Sequence, residues 1–127
     1  MEIYKVSKRM EIAGSHHLRL PYESPCGRLH GHNWIITVHC ISSKLTDYGM
    51  IVDFAQVKKA IHGVLDHQNI NEVIPKDMNP TAENMAKWIC KKVTDLCEHG
   101  YCYKVEVQES EGNIATYECD DEEALNW

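Results

Sequence analysis

His30-Gly31-His32 is the stretch of this chain with the clearest capacity for chemistry. On an extended backbone, residues two apart point to the same face, so both imidazoles project side by side. Two neutral imidazoles held this way make half of a tetrahedral zinc site. Cys26 lies four residues upstream, within reach of a metal or of anything bound to it. Three roles are open to it on spacing alone. It is a fourth ligand that closes the site, a base with a depressed pKa, or a buried free thiol. A third nitrogen ligand has to come from elsewhere. His16-His17 closes an earlier alternating stretch, and strand pairing would bring one of the two beside His30 and His32. Three protein nitrogens leave one zinc position open, as catalytic sites do. Taken alone, His16-His17 reads as a surface pair at a strand end.

Two further groups stand out. Asp66-His67 falls where a helix should end, so a histidine complementing the helix dipole is the plain reading. Adjacent helical residues do not face each other, and a direct hydrogen bond from Asp66 to His67 therefore requires irregular backbone. If it forms, the carboxylate fixes the imidazole tautomer and raises its basicity. Glu109 shares the parity of Tyr103, Val105 and Val107, which puts its carboxylate on an apolar face. Such a carboxylate is costly without partners, so it pairs with backbone amides or awaits a ligand with two adjacent N–H donors. Lys8, Arg9, Arg19 and Arg28 are available for phosphate, although solvated surface charge explains each of them.

The elements that must position these residues follow from periodicity. Residues 2–14 alternate as a strand, and Leu18–Pro25, with two prolines, is a loop. A second strand covers His32–Ser42, rich in β-branched residues, and 43–49 is a turn. Asp53 caps a helix from Phe54 to about Asp66-His67, with an apolar stripe of Phe54, Val57, Ile61, Val64 and Leu65. Residues 68–79 read as a loop. Thr81 caps a second helix with Glu83 in its first turn, and Met85, Trp88, Ile89, Val93 and Leu96 face the core up to a stop at Gly100. Strands are predicted over 101–110 and 114–119, and an acidic tail over 120–127. The order β-β-α-α-β-β predicts an α+β domain, with two helices on one face of a four-stranded antiparallel sheet. On the other face Ile35, Thr37, His39 and Ile41 are mixed in polarity, which points to a subunit interface.

Composition bounds the function. The 127 residues make a single domain, 1–127, with 43% hydrophobic residues for a core. A net charge of -6 disfavours a nucleic-acid surface. No apolar run is long enough for a membrane span, and the N-terminus lacks a signal-peptide core, so a cytoplasmic protein is expected. Six cysteines without a CxxC pair fit free, reduced thiols, with Cys40 and Cys90 acting as small core hydrophobes.

Several motifs occur in one order: Ala13-Gly14-Ser15-His16, Cys-x-x-x-His-Gly-His at 26–32, Gly49-Met50-Ile51-Val52-Asp53-Phe54, Leu65-Asp66-His67, Asn79-Pro80-Thr81-Ala82-Glu83-Asn84 and Val107-Gln108-Glu109-Ser110. Together they resemble the 6-pyruvoyl-tetrahydropterin synthase family over roughly residues 5 to 117. Within it they are most similar to the bacterial 6-carboxytetrahydropterin synthases of queuosine biosynthesis. The resemblance implies the tunnelling fold, trimers that stack into a homohexamer, and active sites at subunit interfaces. It implies zinc held by His16, His30 and His32, with His16 preferred to His17 because it directly follows Gly14-Ser15. Cys26 becomes the general base or acid, Asp66 and His67 its relay, and Glu109 the anchor for the pterin, with the Thr81 region adding contacts. The implied substrate is 7,8-dihydroneopterin triphosphate, and the implied activity a zinc-dependent lyase. Three residues between cysteine and His-Gly-His resemble the carboxy-forming enzymes; the pyruvoyl-forming ones tend to a longer gap. A pyruvoyl-forming lyase and a non-enzymatic domain with a closed His-His-His-Cys zinc site are the alternatives. Ile12 stands where the family often has an aromatic, and the loop before Cys26 is short.

Overall fold

The structure is a computed structural model that describes residues 2–121; most of the acidic tail lies outside the described residues. Five strands and three helices run in the order β1 (Tyr4–His16), β2 (His30–Ser42), α1 (Phe54–Leu65), β3 (Gln68–Asn69), α2 (Ile70–Val73), α3 (Ala82–Thr94), β4 (Tyr101–Ser110) and β5 (Asn113–Glu118), with a 3-10 turn at Pro25–Gly27. The sheet order is β3-β1-β2-β4-β5. The four long strands are antiparallel, as alternation predicts. β3 adds two residues in parallel register with β1, so the sheet is five-stranded and mixed rather than four-stranded. Two residues of strand and four of helix are too short to leave a periodic signal, which is why 68–79 reads as a loop.

Even-numbered residues of β1 and β2 form the buried face. Met10, Ile12, Trp34, Ile36, Val38 and Cys40 lie there under α1 and α3. The first two strands extend further than alternation alone suggested, β1 to His16 and β2 from His30. α1 is capped by the Asp53 carboxylate, which accepts from the Ala55 amide at 2.8 Å. It buries Val57, Ile61 and Leu65, whereas Phe54 and Val64, expected on the same stripe, are exposed. α3 is capped by the Thr81 hydroxyl, which accepts from the Asn84 amide at 3.1 Å. Met85, Ile89 and Val93 form its buried stripe.

Two details depart from the sequence reading. α3 ends at Thr94, so Gly100 is not its stop. Gly100 instead turns the chain into β4 with φ +74°, and a Cβ there would lie 2.1 Å from the Ile41 carbonyl oxygen. The second departure is an irregularity in the pairing of β2 with β4 beside His39 and Cys40. It turns Tyr103 out of the expected buried row towards His39 and Lys5, and puts Cys102 in the core.

Candidate functional site

The antiparallel register sets His16 directly opposite His30, and Gly14 opposite His32. All three histidines therefore continue the buried face of the sheet to its end, beyond Trp34 and Ile12. Gly14 leaves room for Ile70, whose Cδ1 would lie 3.0 Å from a Cβ there; Trp34 Nε1 donates to the Gly14 carbonyl at 3.1 Å, and its ring packs edge-on at 4.8 Å from His16 and 5.1 Å from His32. The imidazole centroids of His16, His30 and His32 lie 4.6 to 5.3 Å apart.

Two backbone carbonyls orient the rings. His16 Nδ1 lies 2.8 Å from the Pro80 carbonyl oxygen, and His30 Nδ1 lies 2.6 Å from that of Arg28. A carbonyl only accepts, so both imidazoles carry their proton on Nδ1 and leave Nε2 as a lone pair. Pro80 precedes the α3 cap and Arg28 follows the 3-10 turn, so these two irregular segments set the ring planes. Sequence reasoning missed both, because a backbone carbonyl carries no residue signature.

Glu109 completes the group. Its Oε1 lies 2.7 Å from His32 Nε2 and 3.6 Å from His16 Nε2. The pairing of β4 with β5 shifts between Gln108 and Ser110, so Glu109 sits in a bulge, a device that re-aims a side chain. One ligand atom from each of His16, His30, His32 and Glu109 lies within 4.8 Å of the others. Among the described residues Cys26 is not part of this cluster. Its thiol is exposed on the 3-10 turn, whose amide is held by the Ser24 hydroxyl.

The donor set fits a divalent cation. His16 Nε2 and His32 Nε2 are buried and have no hydrogen-bond partner among the described residues. Buried polar atoms left this way are costly, and a cation shared by the lone pairs removes the cost. The 2.7 Å approach of Glu109 to His32 lacks hydrogen-bond alignment, and it too is relieved by a positive charge between them. His16 is only 1% exposed, and burial holds its pKa below the ordinary 6.5. The nearby His30 and His32 act in the same direction, against the Pro80 carbonyl and Glu109. A neutral imidazole is the form that binds metal.

The backbone at Asp66-His67 is irregular, as a hydrogen bond between the two would require, but their side chains stand at ion-pair distance without forming that bond. α1 ends at Leu65, and His67 takes φ +60°, rare for a residue with a side chain. Its amide donates to the Ala13 carbonyl at 2.7 Å, while Asp66 Oδ1 accepts from the Ala13 amide at 2.9 Å. Asp66 Oδ2 then faces two imidazoles, His67 at 3.4 Å and His62 at 3.5 Å. The His67 side chain is 81% exposed, and with Gly31, His32 and Asn69 it borders a groove of about 480 Å³. A second groove, of about 400 Å³, runs between Ala82-Glu83 at the start of α3 and Glu109 with the β5 residues 113–116. Thr81 stands at that helix start as its cap. A third, beside Cys26, is lined by Tyr22, Ser24, Pro25, Gly27 and Arg28. The residues nominated for chemistry thus fall into three groups: His16, His30, His32 and Glu109 together, Asp66 with His67, and Cys26 apart.

Comparison with known proteins agrees with the fold and with the family that the motifs resemble. The chain is 33% identical to human 6-pyruvoyl tetrahydrobiopterin synthase over 132 residues, covering 89% of this chain and 90% of the relative. It is 30% identical to the Bacillus subtilis 6-carboxy-5,6,7,8-tetrahydropterin synthase over 123 residues, covering 90% and 84%. The solved structure of Caenorhabditis elegans 6-pyruvoyl tetrahydropterin synthase superposes with a TM-score of 0.73 at 25% identity, over 94% of this chain and 98% of that one. The profile of the 6-pyruvoyl tetrahydropterin synthase family matches residues 5–120, and the chain belongs to that family.

Proposed function

We propose that the chain is a zinc-dependent carbon–carbon lyase. With one water it converts 7,8-dihydroneopterin triphosphate to 6-carboxy-5,6,7,8-tetrahydropterin, releasing acetaldehyde and triphosphate, in queuosine biosynthesis. The observation that carries this reading is the convergence of ligand atoms from His16, His30 and His32, with His16 Nε2 and His32 Nε2 buried and unpartnered among the described residues and the Cys26 thiol outside the cluster. His16, His30 and His32 hold the metal and leave a position open for substrate. A zinc ion held there supplies Lewis acidity towards the substrate's side-chain hydroxyls.

The protein residues do the rest. Glu109 borders the groove beside the start of α3, where its two oxygens match the paired N–H donors of the pterin's guanidine-like edge. The Thr81 segment packs against the same ring. Cys26 moves a proton at the side-chain carbons, and Asp66 with His67 forms the relay that carries it. His67 borders one groove, and Pro25 and Gly27 on either side of Cys26 border another, which supports a site completed between copies in a hexamer built as a dimer of trimers.

The three-residue gap between Cys26 and His30 favours the carboxy-forming reaction. The 33% identity to the human enzyme favours a second reading, elimination of triphosphate from the same substrate to the pyruvoyl product. Incubation of the zinc-loaded protein with 7,8-dihydroneopterin triphosphate, followed by product mass analysis and an acetaldehyde assay, separates the two. The proposal expects equal amounts of acetaldehyde and 6-carboxytetrahydropterin. A pyruvoyl product without acetaldehyde supports the second reading, and no turnover contradicts both.

A further inference from the structure

Five of the six cysteines gather at the other end of the sheet from the histidines. Cys40 of β2 pairs across the strands with Cys102 of β4. Cys90 on α3 covers Cys102, Cys97 follows α3, and Cys119 follows β5. Within this group Cys90 Sγ and Cys119 Sγ are 3.9 Å apart. Both thiols donate to the same acceptor, the Cys102 carbonyl, at 3.1 and 3.3 Å. That shared acceptor holds the two sulfurs on one side of the backbone, facing each other. None of these thiols has a part in the lyase chemistry. A disulfide between them closes the sulfurs from 3.9 Å to a bond of about 2.05 Å.

The two cysteines differ in access. Cys119 is partly exposed at the end of an edge strand, whereas Cys90 is buried. A small reagent therefore meets Cys119 first, and Cys90 stands behind it as the resolving thiol.

We propose that Cys90 and Cys119 are a modification site that takes up oxidising equivalents from small-molecule disulfides and closes a bond between α3 and β5. In the first step the Cys119 thiolate attacks the reagent disulfide, forming a mixed disulfide and expelling one thiolate, which takes up the Cys119 proton. In the second, the Cys90 thiolate attacks the Cys119 sulfur and expels the second half of the reagent, which takes up the Cys90 proton. The protein loses two hydrogens, and the reagent is reduced to two thiols. The neighbouring Cys102 thiol, and then burial, push the Cys90 pKa up, and burial pushes that of Cys119 up. Closure is accordingly slow at neutral pH and accelerates as pH rises. The bond ties α3, which follows the Pro80 carbonyl that orients His16, to the β4–β5 hairpin that carries Glu109. The proposal does not depend on which pterin product the enzyme makes.

The test is incubation of the full-length, metal-loaded protein with glutathione disulfide, followed by a non-reducing peptide map and a melting curve. The expected result is a peptide pair linked through Cys90 and Cys119. The melting temperature should rise by roughly 10 °C, reversed by dithiothreitol, because the bond closes a 29-residue separation. Cys90→Ser and Cys119→Ser should each abolish the linked pair, and Cys97→Ser should keep it. A stable glutathione adduct on Cys119, a Cys40–Cys102 linkage in its place, or unmodified thiols at both positions would overturn the proposal.

Discussion

Glu109 Oε1 stands 2.7 Å from His32 Nε2, at a bulge where β5 offers β4 no matching residue. That closeness joins two functions in one carboxylate: it borders the groove beside α3 and touches the histidine cluster. Glu109→Gln keeps the shape and removes the charge. The expected outcome is unchanged zinc content, measured by metal analysis, with pterin binding at least ~10-fold weaker, because the charge-assisted pair of hydrogen bonds is lost. Loss of zinc in this variant would make Glu109 a ligand and displace it as the anchor.

Cys26 lies outside the cluster, so the proton transfer proposed for it is separable from metal binding. Cys26→Ala should retain zinc and fold normally, since the thiol is exposed, while turnover falls by at least ~100-fold. Metal analysis and a rate measurement on one preparation check both halves. A variant that loses its metal shows the thiol to be a ligand.

The backbone at His67 makes a different prediction. Its φ of +60° places a side chain in the left-handed region, which costs about 1 kcal/mol. His67→Gly should therefore leave stability unchanged or raise it by up to about 1 kcal/mol in denaturant melts, while abolishing most activity. Such a split distinguishes a relay residue held in strain for function from one that merely ends α1. Equal losses of stability and activity would argue for the structural role.

The metal-free protein should also show a histidine-linked pH dependence. Burial, aided by His30 and His32, keeps the folded His16 pKa below 6.5. Between that folded value and 6.5, the unfolded chain binds more protons at this residue. Stability is full above pH 6.5 and falls as the pH drops through the folded value. Urea melts of chelator-treated protein at pH 8 and pH 5.5 measure the difference, and His16→Gln should remove this part of it.

Much of the site was legible in the sequence because strands have a period of two. His30, Gly31 and His32 alternate faces, and pairing brings His16 opposite His30. The same parity put Glu109 on the buried face, although the bulge that aims it has no sequence mark. Tyr103 shows the limit of the rule: one irregular pairing beside Cys40 turned it to the other face. The requirement for irregular backbone at Asp66-His67 followed from helix geometry, and φ +60° meets it. β3 and α2 escaped notice because they are shorter than either period, and the Pro80 and Arg28 carbonyls because every residue has one.

X-ray absorption at the zinc edge of the ligand-free, metal-loaded protein tests the central claim most directly. Three imidazole nitrogens at about 2.0–2.1 Å with light oxygen donors, and no scatterer near 2.3 Å, is the shell expected for an open site with Cys26 free. A sulfur in that shell, or fewer than three histidine nitrogens, would contradict it.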